Sequence, residues 1–339
     1  CKGVCGGAPY GGKSCGGQPL PRGGFAPKRT SAARRVGRRL PLRAPALFSF
    51  YFFMKHIQWF PGHMTKAMRM MEEQLALVDG VIAVLDARAP AATYNKNLAR
   101  LFGKKPVLYA LNKADLADDK KTDAFLSAFA AAGAFAVRCT ATAQGTARLL
   151  GGKIEGLLRE KLQKDAARGI TRPPKLMVAG IPNTGKSSLI NALSGGKRAV
   201  TGDKAGVTRG KQWIRCAGFE LLDTPGTMPP SFEDQRLAVR LACIGSINDD
   251  ILDMNDLALE LLAQLAEGYP QLLAERYGVT DLSQPLAVYE DICRRRGFLL
   301  RGGEFDYDRG GKAIIDDFRK GRIGRITLDA PSDLSLPRS

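Results

Sequence analysis

Short, unbroken apolar runs separated by amphipathic stretches give the chain its pattern. Val81-Ile82-Ala83-Val84-Leu85 is the first run and Pro106-Val107-Leu108-Tyr109-Ala110-Leu111 the second. Ala134-Phe135-Ala136-Val137 and Lys175-Leu176-Met177-Val178-Ala179 follow. Runs of this length without polar alternation predict strands buried on both faces. Between them lie helix-like stretches such as Asp123 to Ala132. Ahead of the first run, Met64, Met68, Met71, Leu75 and Val78 recur at spacings of three and four, which predicts an amphipathic helix over 64–78. Residues 211–217 and 219–222 predict two more strands, with Gly218 at the turn. The alternation predicts an α/β fold: a mostly parallel sheet with helices on both faces.

Beyond about residue 229 the strand signals fade. Ile251, Leu252, Leu257, Leu261, Leu262 and Leu265 fall at helical spacing. They predict a small all-helical domain over 230–325, after a sheet domain over 54–229, with a polar tail over 326–339. Residues 151–174 are basic and end in Arg172-Pro173-Pro174, and they read as a linker into the next strand. No internal repeat is visible.

Composition narrows the class. The 339 residues are 45% hydrophobic and 25% charged, the balance of a globular protein rather than a disordered or fibrous one. No apolar run approaches a membrane span, so no membrane partner is expected. The net charge of +18 is unevenly placed. Residues 1–53 hold ten Lys or Arg and no acid, with Cys1 at the start and no methionine before Met54. They are expected to lie outside the folded protein, as an in-frame upstream stretch. The rival reading is a transit peptide, which its basic, acid-free composition resembles. The rest of the chain carries a net +8, a weak pointer to a polyanion such as RNA. Cys139, Cys216, Cys243 and Cys293 lack CxxC spacing and only two histidines exist, which argues against zinc. Scattered cysteines fit a reducing compartment, and the cytoplasm is the expected location, with the mitochondrion as alternative if 1–53 is a transit peptide.

The chemistry lies in three short motifs. Gly180-Ile181-Pro182-Asn183-Thr184-Gly185-Lys186-Ser187 fits G-x-x-x-x-G-K-S, after one predicted strand and before the helix-like Ser188 to Leu193. Asn183, Thr184, Gly185, Lys186, Ser187 and Ser188 are expected to bind nucleotide, with Lys186 on the β- and γ-phosphates and Ser187 on Mg²⁺. Asp223-Thr224-Pro225-Gly226 closes a strand: Asp223 would hold Mg²⁺ through water, and the Gly226 N–H would meet the γ-phosphate. Thr208, between the two, would give a hydroxyl to Mg²⁺, or be a plain loop threonine. Asn112-Lys113-Ala114-Asp115 is N-K-x-D at another strand end. Asp115 would accept from the guanine N1–H and amine, a donor pair adenine lacks. Asn112 would brace the loops, Lys113 would lie along the base, and Thr140-Ala141 would offer an N–H to guanine O6.

The order of these motifs is unusual. A conventional GTPase runs phosphate loop, switch threonine, D-x-x-G, then N-K-x-D. Here N-K-x-D comes 68 residues before the phosphate loop and does not recur after Gly226. A circular permutation accounts for this: the same sheet with different chain ends.

With Ile57-Gln58-Trp59-Phe60-Pro61-Gly62-His63-Met64, Leu85-Asp86-Ala87-Arg88-Ala89-Pro90 and Arg301-Gly302-Gly303-Glu304-Phe305-Asp306-Tyr307-Asp308, the chain resembles the ribosome biogenesis GTPase A family of circularly permuted GTPases. The resemblance runs from about Met54 to Leu328. It implies GTP hydrolysis coupled to a late step in large ribosomal subunit assembly, with the subunit precursor, its rRNA and its proteins as partners. It implies a helical C-terminal domain that helps bind rRNA. Thr227 stands where Ras-like enzymes place a water-orienting Gln, so the catalytic group must come from elsewhere. The family's candidate is His63; the alternative is that His63 contacts RNA or solvent. His56 reads as an ordinary surface residue. In potassium-stimulated GTPases a similar asparagine helps hold K⁺, so Asn183 becomes a K⁺ candidate, or merely caps the loop. Two other readings compete: an RNA-binding module that uses nucleotide only as a switch, and a tRNA-modification or metal-transport GTPase. The permuted order and the W-F-P-G-H stretch disfavour the last.

Overall fold

Strand β1 (Gly80–Asp86) is buried at every position, and β2 (Val107–Asn112) at all but its first. They lie side by side, parallel, with Val81 opposite Val107 and Asp86 opposite Asn112. The computed structural model describes residues 63–196, 213–229, 232 and 234–336, all within one compact unit. The expected extension 1–53 and Thr208 lie outside the described residues. In chain order the elements begin with α1 (His63–Leu75), then β1, α2 (Pro90–Thr93), α3 (Lys96–Phe102), β2, α4 (Asp119–Ala131), β3 (Phe135–Arg138), α5 (Thr146–Leu157) and α6 (Arg159–Ala167). Strand β4 (Lys175–Ala179), α7 (Lys186–Leu193), β5 (Trp213–Arg215) and β6 (Glu220–Asp223) complete the sheet part.

The sheet runs β3-β2-β1-β4-β6-β5, all parallel except β5, which pairs antiparallel with β6. Parallel pairing brings the carboxyl ends of β2, β4 and β6 to one edge. In such sheets ligands bind in the crevice beyond that edge. One face packs Met71, Phe102, Phe125 and Phe129 onto Ala83 and Leu111. The other packs Leu150, Ile154, Leu158 and Leu189 onto Ile82, Leu108 and Val178.

Two local readings change. Residues 151–174 are not a plain linker, since α5 and α6 occupy most of them. The reason is the spacing of Leu150, Ile154 and Leu158, four apart, which buries one stripe against the sheet. In α1 the buried positions are Ala67, Met71 and Gln74, followed by Val78. The apolar spacing is right in kind but the buried stripe includes a glutamine.

The helical part comprises α8 (Gln235–Cys243), α9 (Met254–Gly268), α10 (Pro270–Tyr277), α11 (Pro285–Arg296) and α12 (Tyr307–Arg319). Leu261, Leu262, Leu265, Tyr289, Ile314 and Phe318 form its core. Pro270 separates α9 from α10 because it fits the first turn of a new helix but not the interior of an old one. The same core includes Ala89, Ala92 and Ile181, so the helical part is packed directly against the carboxyl edge of the sheet. The segment after residue 325 returns to that junction. Leu328 N–H donates to Arg88 O at 2.7 Å, and Thr327 Oγ1 to Ala87 O at 3.0 Å. Thr327 and Asp329 are fully buried, which a solvated tail would not allow.

Candidate functional site

Helix α7 opens at Gly185 with no side-chain cap. Among the described residues, no acceptor takes the N–H groups of Asn183 through Ser188. Six successive uncommitted N–H groups at a helix N-terminus form a ready anion site. Gly185, at φ +92°, also passes so close to Asn112 that a Cβ there would meet its Nδ2 at 2.3 Å. Any side chain at 185 would push the Asn112 side chain away.

Lys186 is buried, and its Nζ donates to Ile181 O at 2.7 Å. Burial pushes its pKa down to about 8, against the pull of Asp223. A phosphate arriving here would meet a cation that lacks a full water shell, where charge interactions are strong. A Cβ on Gly226 would lie 2.9 Å from that Nζ, so the D-x-x-G turn sits directly over the lysine. Asp223, at the end of β6, is buried as well. Thr184 is buried and turns its Oγ1 to Ile181 O, so only its backbone is available to a ligand. Asn183, Gly185, Lys186, Ser187 and Ser188 line a cavity of about 580 Å³ with Lys113 and Arg88.

Asn112 ends β2, and Asp115 follows three residues later. Asn112 Nδ2 donates to Thr184 O at 2.9 Å, and its Oδ1 accepts the Ala141 N–H at 2.9 Å. Ala141, expected to offer that N–H to a base, spends it on Asn112. Asp115 is exposed and receives the Thr140 hydroxyl at 3.1 Å. Lys113 Nζ donates to Asn183 O at 2.6 Å and pairs with Asp86 Oδ2 at 3.0 Å.

Lys113 (φ +58°) and Asn183 (φ +60°) are the two non-glycine residues with left-handed backbone among those described. That region is sparsely populated by L-residues, and such strain concentrates at functional sites. These two touch each other although 70 residues separate them.

Sequence reasoning gave no role to Asp86, Arg88 or the helical residues. Arg88 is almost fully buried and forms a two-pronged pair with Asp86, Nε to Oδ1 at 2.9 Å and Nη2 to Oδ2 at 2.7 Å. Burial alone would raise the Asp86 carboxyl, but Arg88 and Lys113 hold it well below the usual carboxylate range. Arg88 Nη1 also donates to Arg319 O at 3.1 Å. Ile244, Gly245, Ile247, Asn248, Asp249 and Arg319 supply the cavity's far wall. An Asp-x-Arg at a strand end was the available signal; the far wall had none, because it depends on long-range closure. Thr227 is fully buried, its Oγ1 has no partner among the described residues, and it is not among the residues that line the cavity. His63 opens α1.

A sequence profile described as "50S ribosome-binding GTPase" matches residues 175–275. The protein named ribosome biogenesis GTPase A in Bacillus cereus is 40% identical over 280 residues, covering 82% of this chain and 95% of its own. Its namesake in Priestia megaterium is 39% identical over 285 residues, covering 83% and 99%. The GNP-bound structure of YlqF from T. maritima superposes with a TM-score of 0.56 at 28% identity, covering 79% of this chain and all of that one. A GDP-bound YlqF structure gives the same TM-score at 26% identity, covering 78% of this chain. The permuted motif order, the shared edge on which the motifs meet and these relatives agree. The chain belongs to the ribosome biogenesis GTPase A family and is a circularly permuted GTPase.

Proposed function

We propose that this GTPase is an assembly factor that binds the precursor of the large ribosomal subunit and acts in a late step of its maturation. The names carried by its relatives support the ribosomal role. The observation that carries the nucleotide chemistry is the run of uncommitted N–H groups from Asn183 to Ser188 beside buried Lys186. The last turn of α11 sets three exposed arginines, Arg294 to Arg296, against the two carboxylates that pair with them, Asp291 and Asp317, and this net positive end supports an RNA-facing helical domain over 230–325. The proposed place of work is the cytoplasm, or the mitochondrion if 1–53 serves as a transit peptide.

In this reading the loop N–H groups and Lys186 bind the phosphates, and Lys186 and the Gly226 N–H take up charge that develops in the transition state. Asp115 reads the base. Ser187, Thr208 and Asp223 are hard oxygen donors of the kind Mg²⁺ takes, and Asp223 lies buried beside Lys186. Mg²⁺ held by these residues would supply positive charge that neutralises the phosphates. Asn183 gives its Nδ2 to Gly245 O, which leaves Oδ1 as the side-chain atom suited to K⁺. Since Thr227 is buried away from the cavity, His63 is the proposed water-orienting group, brought into place when the particle docks.

The test is sedimentation of the protein with large-subunit precursors. Binding with a non-hydrolysable GTP analogue and release with GDP is the expected result. Equal binding in both states would contradict a GTP-gated assembly step. His63→Ala should bind particle and GTP yet lose most particle-stimulated hydrolysis. Full stimulation in that variant would favour the RNA-contacting role instead.

A further inference from the structure

Helix α8 ends in a motif that fixes the direction of one carbonyl. Gly245 takes a left-handed φ of +78°, its N–H returns to Ala242 O at 3.0 Å, and the Ser246 N–H returns to Leu241 O at 2.9 Å. This is the paired closure by which helices satisfy their last carbonyls. Arg319 of α12 locks it from outside, donating from Nη2 to Ala242 O at 2.8 Å and from Nε to Cys243 O at 3.0 Å. Asp249 grips the same guanidinium at 2.7 and 2.8 Å.

The turn so fixed lies against the phosphate loop. Asn183 Nδ2 donates to Gly245 O at 2.7 Å, and Ser246 Oγ donates to Pro182 O at 3.0 Å. Lys113 Nζ holds Asn183 O at 2.6 Å from the other side. These three bonds clamp Pro182 and strained Asn183, and none of them uses a backbone N–H of the loop. The clamp therefore shapes the loop while leaving its donors for a ligand. Arg88 closes the circuit: it pairs with Asp86, which pairs with Lys113, and it reaches the helical part at Arg319 O.

We propose that Gly245 and Ser246 are positioning residues for the phosphate loop, so that docking of the helical part sets how long the sheet part retains nucleotide. The inference rests on the nucleotide site described above. A movement of α8 relative to β4 would release Pro182 and Asn183, loosen the preset loop and speed nucleotide release. Where the clamp raises nucleotide affinity, bound nucleotide must by linkage tighten the α8 turn to the same degree.

The test pairs Ser246→Ala with Ser246→Thr, reading release of a fluorescent GDP by stopped flow. Loss of one hydrogen bond of this kind corresponds to about a two- to tenfold change. Ser246→Ala should release GDP faster by that factor, and Ser246→Thr, which keeps a hydroxyl, should restore slow release. A merely structural serine would lower the melting temperature and leave release alone. Amide exchange on the unmodified chain gives a second readout: GDP should slow exchange at Gly245 and Ser246. Unchanged release in Ser246→Ala, or no protection of that turn by GDP, would overturn the proposal. Failure of the unmodified chain to bind GDP at all would instead sink the nucleotide-site reading beneath it.

Discussion

At the phosphate end of the pocket, Lys186 and Asp223 are buried and the ligand-facing groups are mostly backbone N–H. At the base end, Asp115 is an exposed side chain steadied by one hydroxyl. Between them Asn112 and Lys113 reach from the base loop to Thr184 and Asn183 of the phosphate loop. The difference teaches where affinity and selectivity reside. Backbone donors around a desolvated lysine give strong binding to any phosphate. In the proposed reading an exposed carboxylate adds little to general affinity but decides which base is accepted.

Lys186→Ala breaks the phosphate end most severely. It should lower GTP turnover by about 10²–10³-fold, as expected for loss of one preorganised charge donor, measured under saturating GTP. The base preference of whatever binding remains should be unchanged. A variant that lost its preference for guanine along with turnover would show that the two ends are not separable.

The link between the ends should cost stability rather than selectivity. Arg88→Met takes the two-pronged partner from the buried Asp86 carboxylate, leaving it Lys113, and removes the bond to Arg319 O. Breaking a buried pair costs about 3–5 kcal/mol when the remaining charge is left alone; with Lys113 still beside Asp86 the cost should be about half of that, readable in urea unfolding. Asp86→Asn alongside Arg88→Met should recover part of the loss, since the fully buried carboxylate charge is then gone and Lys113 is partly exposed. A cost under about 1 kcal/mol would mean that Arg88 behaves as a surface residue.

A smaller effect separates the ends by pH. Lys186 has its pKa lowered to about 8 by burial, and phosphate binding favours its charged form. Below pH 8 the lysine is already protonated, so GDP affinity should be flat there. Above pH 8 binding must first recruit a proton, so affinity should fall by up to about tenfold per pH unit. In Lys186→Ala that decline should disappear, read by titration at pH 7, 8 and 9.

The same contrast explains what the sequence made legible. Strands such as Val81–Leu85 and Lys175–Ala179 were readable because burial on both faces leaves an unbroken apolar run. The phosphate loop and N-K-x-D were readable because their chemistry is local. What escaped is long-range. Nothing near residue 245 announces that its carbonyl meets Asn183. Arg88 reads as an ordinary charge until the strand, α8 and α12 close around it. The 151–174 stretch was obscured by its charges, since its nine Lys, Arg, Asp and Glu outnumber the few leucines and the isoleucine that set its helical stripe. Ala141 shows a subtler limit: a strand-end N–H was foreseeable, but its acceptor, Asn112, was a matter of geometry.

The central claim is that three motifs scattered in permuted order make one guanine-nucleotide site. Titration of the unmodified chain and of Asp115→Asn with GDP, ADP and xanthosine diphosphate tests it most directly. The account predicts that the unmodified chain prefers GDP over ADP by about 10- to 100-fold, the worth of a hydrogen bond to a charged but exposed carboxylate. It predicts that Asp115→Asn moves the preference toward the xanthine nucleotide. Equal affinity of the unmodified chain for GDP and ADP would contradict it.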